Sequence, residues 1–352
     1  MNIQHFFVVA WYETKLLRRK RLFWAFALAA LVLIGYLQFL MQGKYYSHPM
    51  VCMASCIPFA NAYLFNFCQA FIVIFIAADY MYRDRKLNTR DMILIRPVSN
   101  MTYHAGKATS VIFLCILLNL LSISAAIIIN LFYSPAPFDL FQYLFYFLTL
   151  TLPSLLFMTG LVLCINRLVK ITFFPVVLLL AYLFVSIRYL SDIHHGMFDF
   201  MAMKVPSVFS GITGHIALPS YLTQRLAYVL AGIGLFLLSV YLSKRFPNYI
   251  LNKRRAGVFA GFFLILAISC GWGYRYAFTR NDTKRHVYAD IFKKYENEKR
   301  GTTKVHDIVI CVQPEGYSAN SRITITNTTS GRRAGRCLRR LPPNICPMAA
   351  PT

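Results

Sequence analysis

The chain has 352 residues, of which 57% are hydrophobic and only 14% charged, with a mean hydropathy of +0.51. Soluble globular domains carry roughly a quarter of their residues as charges, so lipid and not water is the main solvent of this chain. A net charge of +24 would suit nucleic acid, but the basic residues stand in short clusters between apolar runs and form no single soluble face. No nucleic-acid partner is expected.

In chain order, residues 1–21 come first and read as an amphipathic interfacial helix. Ile3, Phe6, Phe7, Ala10, Trp11 and Leu17 recur every three or four positions, and a basic cluster closes the segment at Arg18, Arg19, Lys20 and Arg21. Membrane lipid is therefore a partner. A plain basic flank to the first span would use the same residues. The segment has no short apolar stretch ending in a small-residue cleavage site, and the first span reads as an anchor.

A helix needs about 20 apolar residues to cross the hydrocarbon core. Such runs occur near 22–41, 57–78, 109–132, 141–165, 171–187, 225–242 and 256–274. Eighteen Lys and Arg lie in or beside one set of connections, against only Lys44, Arg188, Lys204 and Arg225 in the other. Basic connections are retained in the cytoplasm, so this alternation predicts a cytoplasmic N-terminus and places everything after Gly273 outside. The expected class is an all-α polytopic membrane protein: a six-span bundle over 22–250, a seventh span over 251–274, and a small incomplete α+β external segment over 275–330. In that segment 283–300 reads as a charged helix, and 305–328 alternates as strands do. Residues 331–352 hold five Arg and four Pro but no Lys, Asp or Glu. They break so abruptly from the preceding pattern that they read as an out-of-frame end.

Polar residues inside spans are costly unless they meet a partner or a cavity. Asn61, Asn66 and Gln69 in the second span, with Asn119, Ser122 and Ser124 in the third, are candidates for a transport path, a dimer seam, or hydrogen bonds within one bundle. The external connection 188–224 contains Gly196, Pro206, Gly211, Gly214 and Pro219, which interrupt regular structure, and reads as partly re-entrant. Cys52 and Cys56 flank the second span, where a disulfide is open. The cysteines within apolar runs behave as small hydrophobes.

The connection Asp79–Lys107 is too long and too patterned for a turn between neighbouring helices. Arg83 to Arg96 mixes charges with an apolar end, as a short surface helix does, and Pro97 ends it. Ser99 or Asn100 then caps a second helix that runs through Tyr103 and Lys107 into the third span. Without a functional role, this stretch would be a solvated basic flank.

This connection resembles that of the permease subunits of ABC-2 type exporters, whose loop between spans two and three carries an acidic-basic patch, a Gly-Thr and a Pro-Val-Ser…Tyr…Gly-Lys run. The matching residues are Asp84, Arg85, Thr89, Leu94, Arg96, Pro97, Val98, Ser99, Tyr103, Gly106 and Lys107. Asn88 stands where the family has glycine and Asp91 where it often has glutamate, so the turn before Thr89 departs from the pattern. The resemblance covers about two thirds of the chain. It implies an ATPase-coupling loop over 79–107, a separate cytoplasmic ABC ATPase subunit as partner, a second permease copy in a homo- or heterodimer, and a place in a bacterial inner membrane. It can be extended to long Bacteroidetes-type fusions in which such a permease continues into an external domain, further spans and an M1-like aminopeptidase, of which this chain would be a truncated remnant. A reading from another class is a non-transporting membrane anchor or assembly protein.

Enzymatic motifs fail on their residues. Gly106-Lys107 has Met101 where a P-loop needs its first glycine and Ala108 where it needs Ser or Thr. Neither His-Glu-x-x-His nor Gly-x-Ser-x-Gly occurs. His194 and His195, with Asp192 and Asp199 near them, lack the helix-spaced partner that a metal site uses. No catalytic residue, metal or cofactor is expected. ATP hydrolysis belongs to a partner.

Overall fold

Apolar runs with few internal breakers become long helices, and the computed structural model consists mainly of them. It describes residues 3–42, 53–86, 99–134, 136–169, 173–205, 207–209, 214–215, 217–243, 250–295, 303–313 and 318–327. The helices are α1 (Ile3–Arg18), α2 (Arg21–Gln42), α3 (Cys56–Lys86), α4 (Asn100–Tyr133), α5 (Leu140–Leu168, with a π turn at Phe147–Thr151), α6 (Phe174–Leu190, with a π turn at Ser186–Leu190), α7 (Leu218–Tyr241) and α8 (Ile250–Tyr295). Six of these, α2 to α5 with α7 and α8, are long and apolar enough to cross a membrane, and α6 is a shorter apolar helix. The protein is an all-α polytopic membrane protein, as its hydropathy predicts.

Neighbouring side chains fix the directions of the helices. Asn66 and Gln69 of α3 meet Leu150 and Thr151 of α5 in ascending order, and Thr149, Phe157 and Gly160 of α5 meet Tyr221, Tyr228 and Gly232 of α7 in the same way. These three helices are parallel. Helix α4 runs against α5 and α7, because its first turns, at His104, meet Arg167 in the last turn of α5 and Ser243 just after α7. Helix α8 returns against α7, with Gly257 beside Tyr241 and Gly234 beside Leu264. The alternation inferred from basic residues is thus present in the packing: the start of α4 and the ends of α5 and α7 lie at one end of the bundle.

The core is aliphatic where α2 to α5 meet, around Ile34, Phe65, Val73, Leu114, Leu118, Leu155 and Met158. Helices α5 and α7 come closest at two glycines. A Cβ on Gly160 would overlap the Gly232 carbonyl, and one on Gly232 would lie 2.7 Å from the Leu156 backbone. Small residues at such a crossing let two backbones approach, which drives packing where lipid supplies no hydrophobic force between helices.

The reading of the C-terminal part changes in one respect. Helix α8 continues unbroken through the boundary expected at 274 and ends at Tyr295, after 46 residues. The charged stretch from 283 extends this helix and does not start a new one, because no Pro or Gly interrupts 274–295. Residues 281 onward belong to a second compact unit. In it β1 (Thr303–Gln313) pairs antiparallel with β2 (Ser318–Asn327), with a register shift between Val305 and Asp307. The tail 331–352 and Cys52 lie outside the described residues.

Candidate functional site

The N-terminal turns of α4 form a junction of three elements. Ser99 caps the helix, its hydroxyl accepting from the Thr102 N–H at 3.1 Å, as the sequence predicts. Gly106 lies directly against α1: a Cβ there would come within 2.7 Å of the Val9 side chain. Lys107 is 1% exposed. Its ammonium is 3.4 Å from the carboxylate of Glu13 on α1 and 4.6 Å from the centre of the Tyr103 ring. A lysine buried this deeply needs such compensation, because an unpaired charge would cost several kcal/mol.

The opposite side of the same turns holds α5 and α7. His104 Nε2 is 3.2 Å from Arg167 Nη2 at the end of α5 and 2.8 Å from the Ser243 hydroxyl just after α7. Ser243 also donates to the Ser239 carbonyl. One and a half turns of α4 therefore touch α1 and the ends of two spans. Of the predicted loop residues, Ser99, Tyr103, Gly106 and Lys107 meet here. Asp84 and Arg85 lie in the last turn of α3, whereas Thr89, Asp91, Leu94, Arg96 and Pro97 fall outside the described residues. Glu13, His104, Arg167 and Ser243 were missed. Glu13 carried a signal, being the only acidic residue before Asp79.

On helix α1, Ile3, Phe7, Val8 and Trp11 are exposed and Leu17 is buried.

Most of the polar residues within spans bond inside the bundle. Ser122 donates to Asn61 Oδ1 at 2.9 Å, joining α4 to α3. Gln69 donates to Asn66 Oδ1 at 2.7 Å and to the Thr151 carbonyl at 3.3 Å, and Asn66 donates to the Leu150 carbonyl at 3.4 Å. These two carbonyls belong to the π turn of α5. A π turn displaces backbone carbonyls from their usual partners, and α3 supplies replacements at that height. Ser124 bonds back to the Leu120 carbonyl. Asn119 differs, since it is 1% exposed and neither of its amide atoms has a hydrogen-bond partner among the described residues.

At the other end of the bundle the segment between α6 and α7 turns inward. Phe200 is fully buried against Phe157 and Tyr182, and Phe157 in turn meets Tyr228. Its carbonyl accepts from the hydroxyl of Ser154, which lies 14 residues from either end of α5, or about 21 Å along the axis. The segment is re-entrant to the middle of a span. Its backbone is satisfied by side chains: Arg225, 2% exposed, donates to the carbonyls of Phe200 at 2.9 Å and Asp199 at 3.1 Å. Gln224 reaches those of Gly196 and Asp199, Tyr228 that of Met197, and Tyr274 that of His195. The Asp199 carboxylate accepts from the Met201 and Met203 N–H groups. Sequence reasoning counted Arg225 as a loop charge, but it is the buried fork that holds this segment. Asp192 pairs with Lys204, and His195 stacks on Phe278. Among the described residues no three His, Cys, Asp or Glu side chains gather as a metal site.

The sequence profile of the family described as ABC-2 family transporter protein matches residues 10–186, which run from α1 into α6 and include the whole α3–α4 connection. No curated protein matches the chain. A match over half the chain, on a bundle of this architecture, makes the protein a membrane permease of an ABC-type system, and the chain belongs to the ABC-2 transporter family.

Proposed function

We propose that this chain is the transmembrane subunit of an exporter, driven by a separate cytoplasmic ATPase that grips the 79–107 loop, and that it works paired with a second permease copy. The observation that carries the reading is the junction at the start of α4. A helix that transmits force must be rigid where it leaves the loop and joined to what it moves. The first turns of α4 are capped by Ser99, ion-paired to α1 through Lys107 and tied to the ends of α5 and α7 through His104. A displacement of the loop reaches three other helices within two turns. In this reading ATP-driven closure of the ATPase dimer pushes both loops together, and the paired bundles alternate a path across the membrane. The basic connections support an orientation in a bacterial inner membrane with this junction at the cytoplasmic face and the re-entrant segment outside.

Two measurements test this. Reversing the loop charges with Arg85→Glu and Arg96→Glu is expected to abolish ATPase docking in detergent while insertion continues, since many Lys and Arg remain to set topology. Full retention of the ATPase would remove the coupling assignment. An Ile193→Cys reporter in a cysteine-free background is expected to react with a membrane-impermeant maleimide in intact cells. Protection until lysis would reverse the orientation.

A further inference from the structure

Between α2, α3 and α4 lies a cavity of about 190 Å³, walled by aliphatic side chains such as Leu31 and Ala125. Its mouth is at Gly35, where a Cβ would meet nothing within 4 Å. Three polar side chains line the cavity, one from each helix. Asn61 and Ser122 form their hydrogen bond there, Gln38 reaches in while only 1% exposed, and among the described residues no charged one lines the space. The Asn61 oxygen is engaged by Ser122, so its amide N–H is what remains to offer a ligand. One turn along α4, the buried Asn119, unpartnered among the described residues, continues the polar row.

Three features select the ligand class. With no charge in the lining, the group received is neutral and accepts hydrogen bonds. The volume is below the roughly 300–1,000 Å³ of pockets that enclose a whole drug-sized molecule, so one chain enters from the side. The polar groups also sit at a particular depth. Gln38 is four residues from the end of α2 and Asn61 five from the start of α3, about 6 and 8 Å inside the helix termini. With α2 about 33 Å long against a hydrocarbon core of about 30 Å, that puts Gln38 within about 5 Å of the level at which the ester linkages of a phospholipid meet its hydrocarbon. We infer that this groove holds one acyl chain of a bilayer phospholipid, its ester carbonyl accepting from the Asn61 amide.

The test uses the full-length protein in phosphatidylcholine liposomes doped with phosphatidylcholine carrying a diazirine on one acyl chain, with adducts mapped by mass spectrometry. Adducts concentrate at Leu31, Gly35 and Ala125 and are sparse at Leu33, which is exposed and, two residues from both Leu31 and Gly35, lies on the opposite face of α2. Filling the mouth with Gly35→Phe removes them. Asn61→Leu, which keeps the shape, reduces them about fivefold, the worth of one hydrogen bond. An ether-linked probe, lacking the carbonyl, shows the same reduction on the native protein. Should Gly35→Phe fail to insert, Ala125→Phe closes the same space. Adducts spread evenly along α2, or unchanged by a filled mouth, would overturn the site. Equal capture of ester and ether probes would overturn the role given to Asn61.

Discussion

Lys107 and Glu13 form the contact on which the junction most depends. Both are withdrawn from water, and in that setting removing one partner leaves an uncompensated charge, whereas removing both leaves none. Lys107→Met alone is expected to destabilise the bundle by about 3–5 kcal/mol, and Glu13→Leu alone by a comparable amount. The double variant should recover most of the loss, a coupling that a double-mutant cycle of thermal unfolding in detergent would read. Additive losses would mean that the pair does not form. The same residues show what can be read from a sequence. Lys107 stood out because it closes a patterned loop, and Ser99 because capping chemistry is local. Glu13 was marked only by being the lone acidic residue before Asp79, which does not point to a partner 94 residues away, and Arg225 bonds backbone carbonyls, which have no sequence signature.

At the scale of elements, the account turns on how closely α5 and α7 cross. Gly160 and Gly232 are in mutual backbone contact, so any side chain at position 160 must force the helices apart. Gly160→Leu is expected to cost about 1–3 kcal/mol by overpacking and to lower the temperature at which the detergent-solubilised protein loses its monodisperse peak. Gly261→Leu is the control, since a Cβ at that position meets nothing within 4 Å. Equal effects of the two would show that the crossing is looser than described. The spans themselves were legible from hydropathy, because a 20-residue apolar run has few other uses. The π turn in α5 was not. Without it, Asn66 and Gln69 look like candidates for a path, and with it they are the donors that its displaced carbonyls need. The segment 188–224 was legible as broken by Gly and Pro and as partly re-entrant, but not in its depth. Its depth follows from where Ser154, Arg225 and Tyr228 find carbonyls to bond.

For the whole molecule, the alternation of basic and non-basic connections and the packing directions agree, and the family match spans the loop where the two ends of the argument meet. The central claim is that this loop couples the bundle to a separate ATPase. It is tested most directly by purifying the tagged chain from its native membrane and identifying its stoichiometric partners by mass spectrometry. The purification is repeated with residues 87–96 replaced by a Gly-Ser stretch that leaves Ser99 and the α4 junction intact. The account predicts a nucleotide-binding subunit that co-purifies with the native chain and is lost on replacement while the bundle still inserts. An ATPase retained after replacement, or absent from both samples, would contradict it.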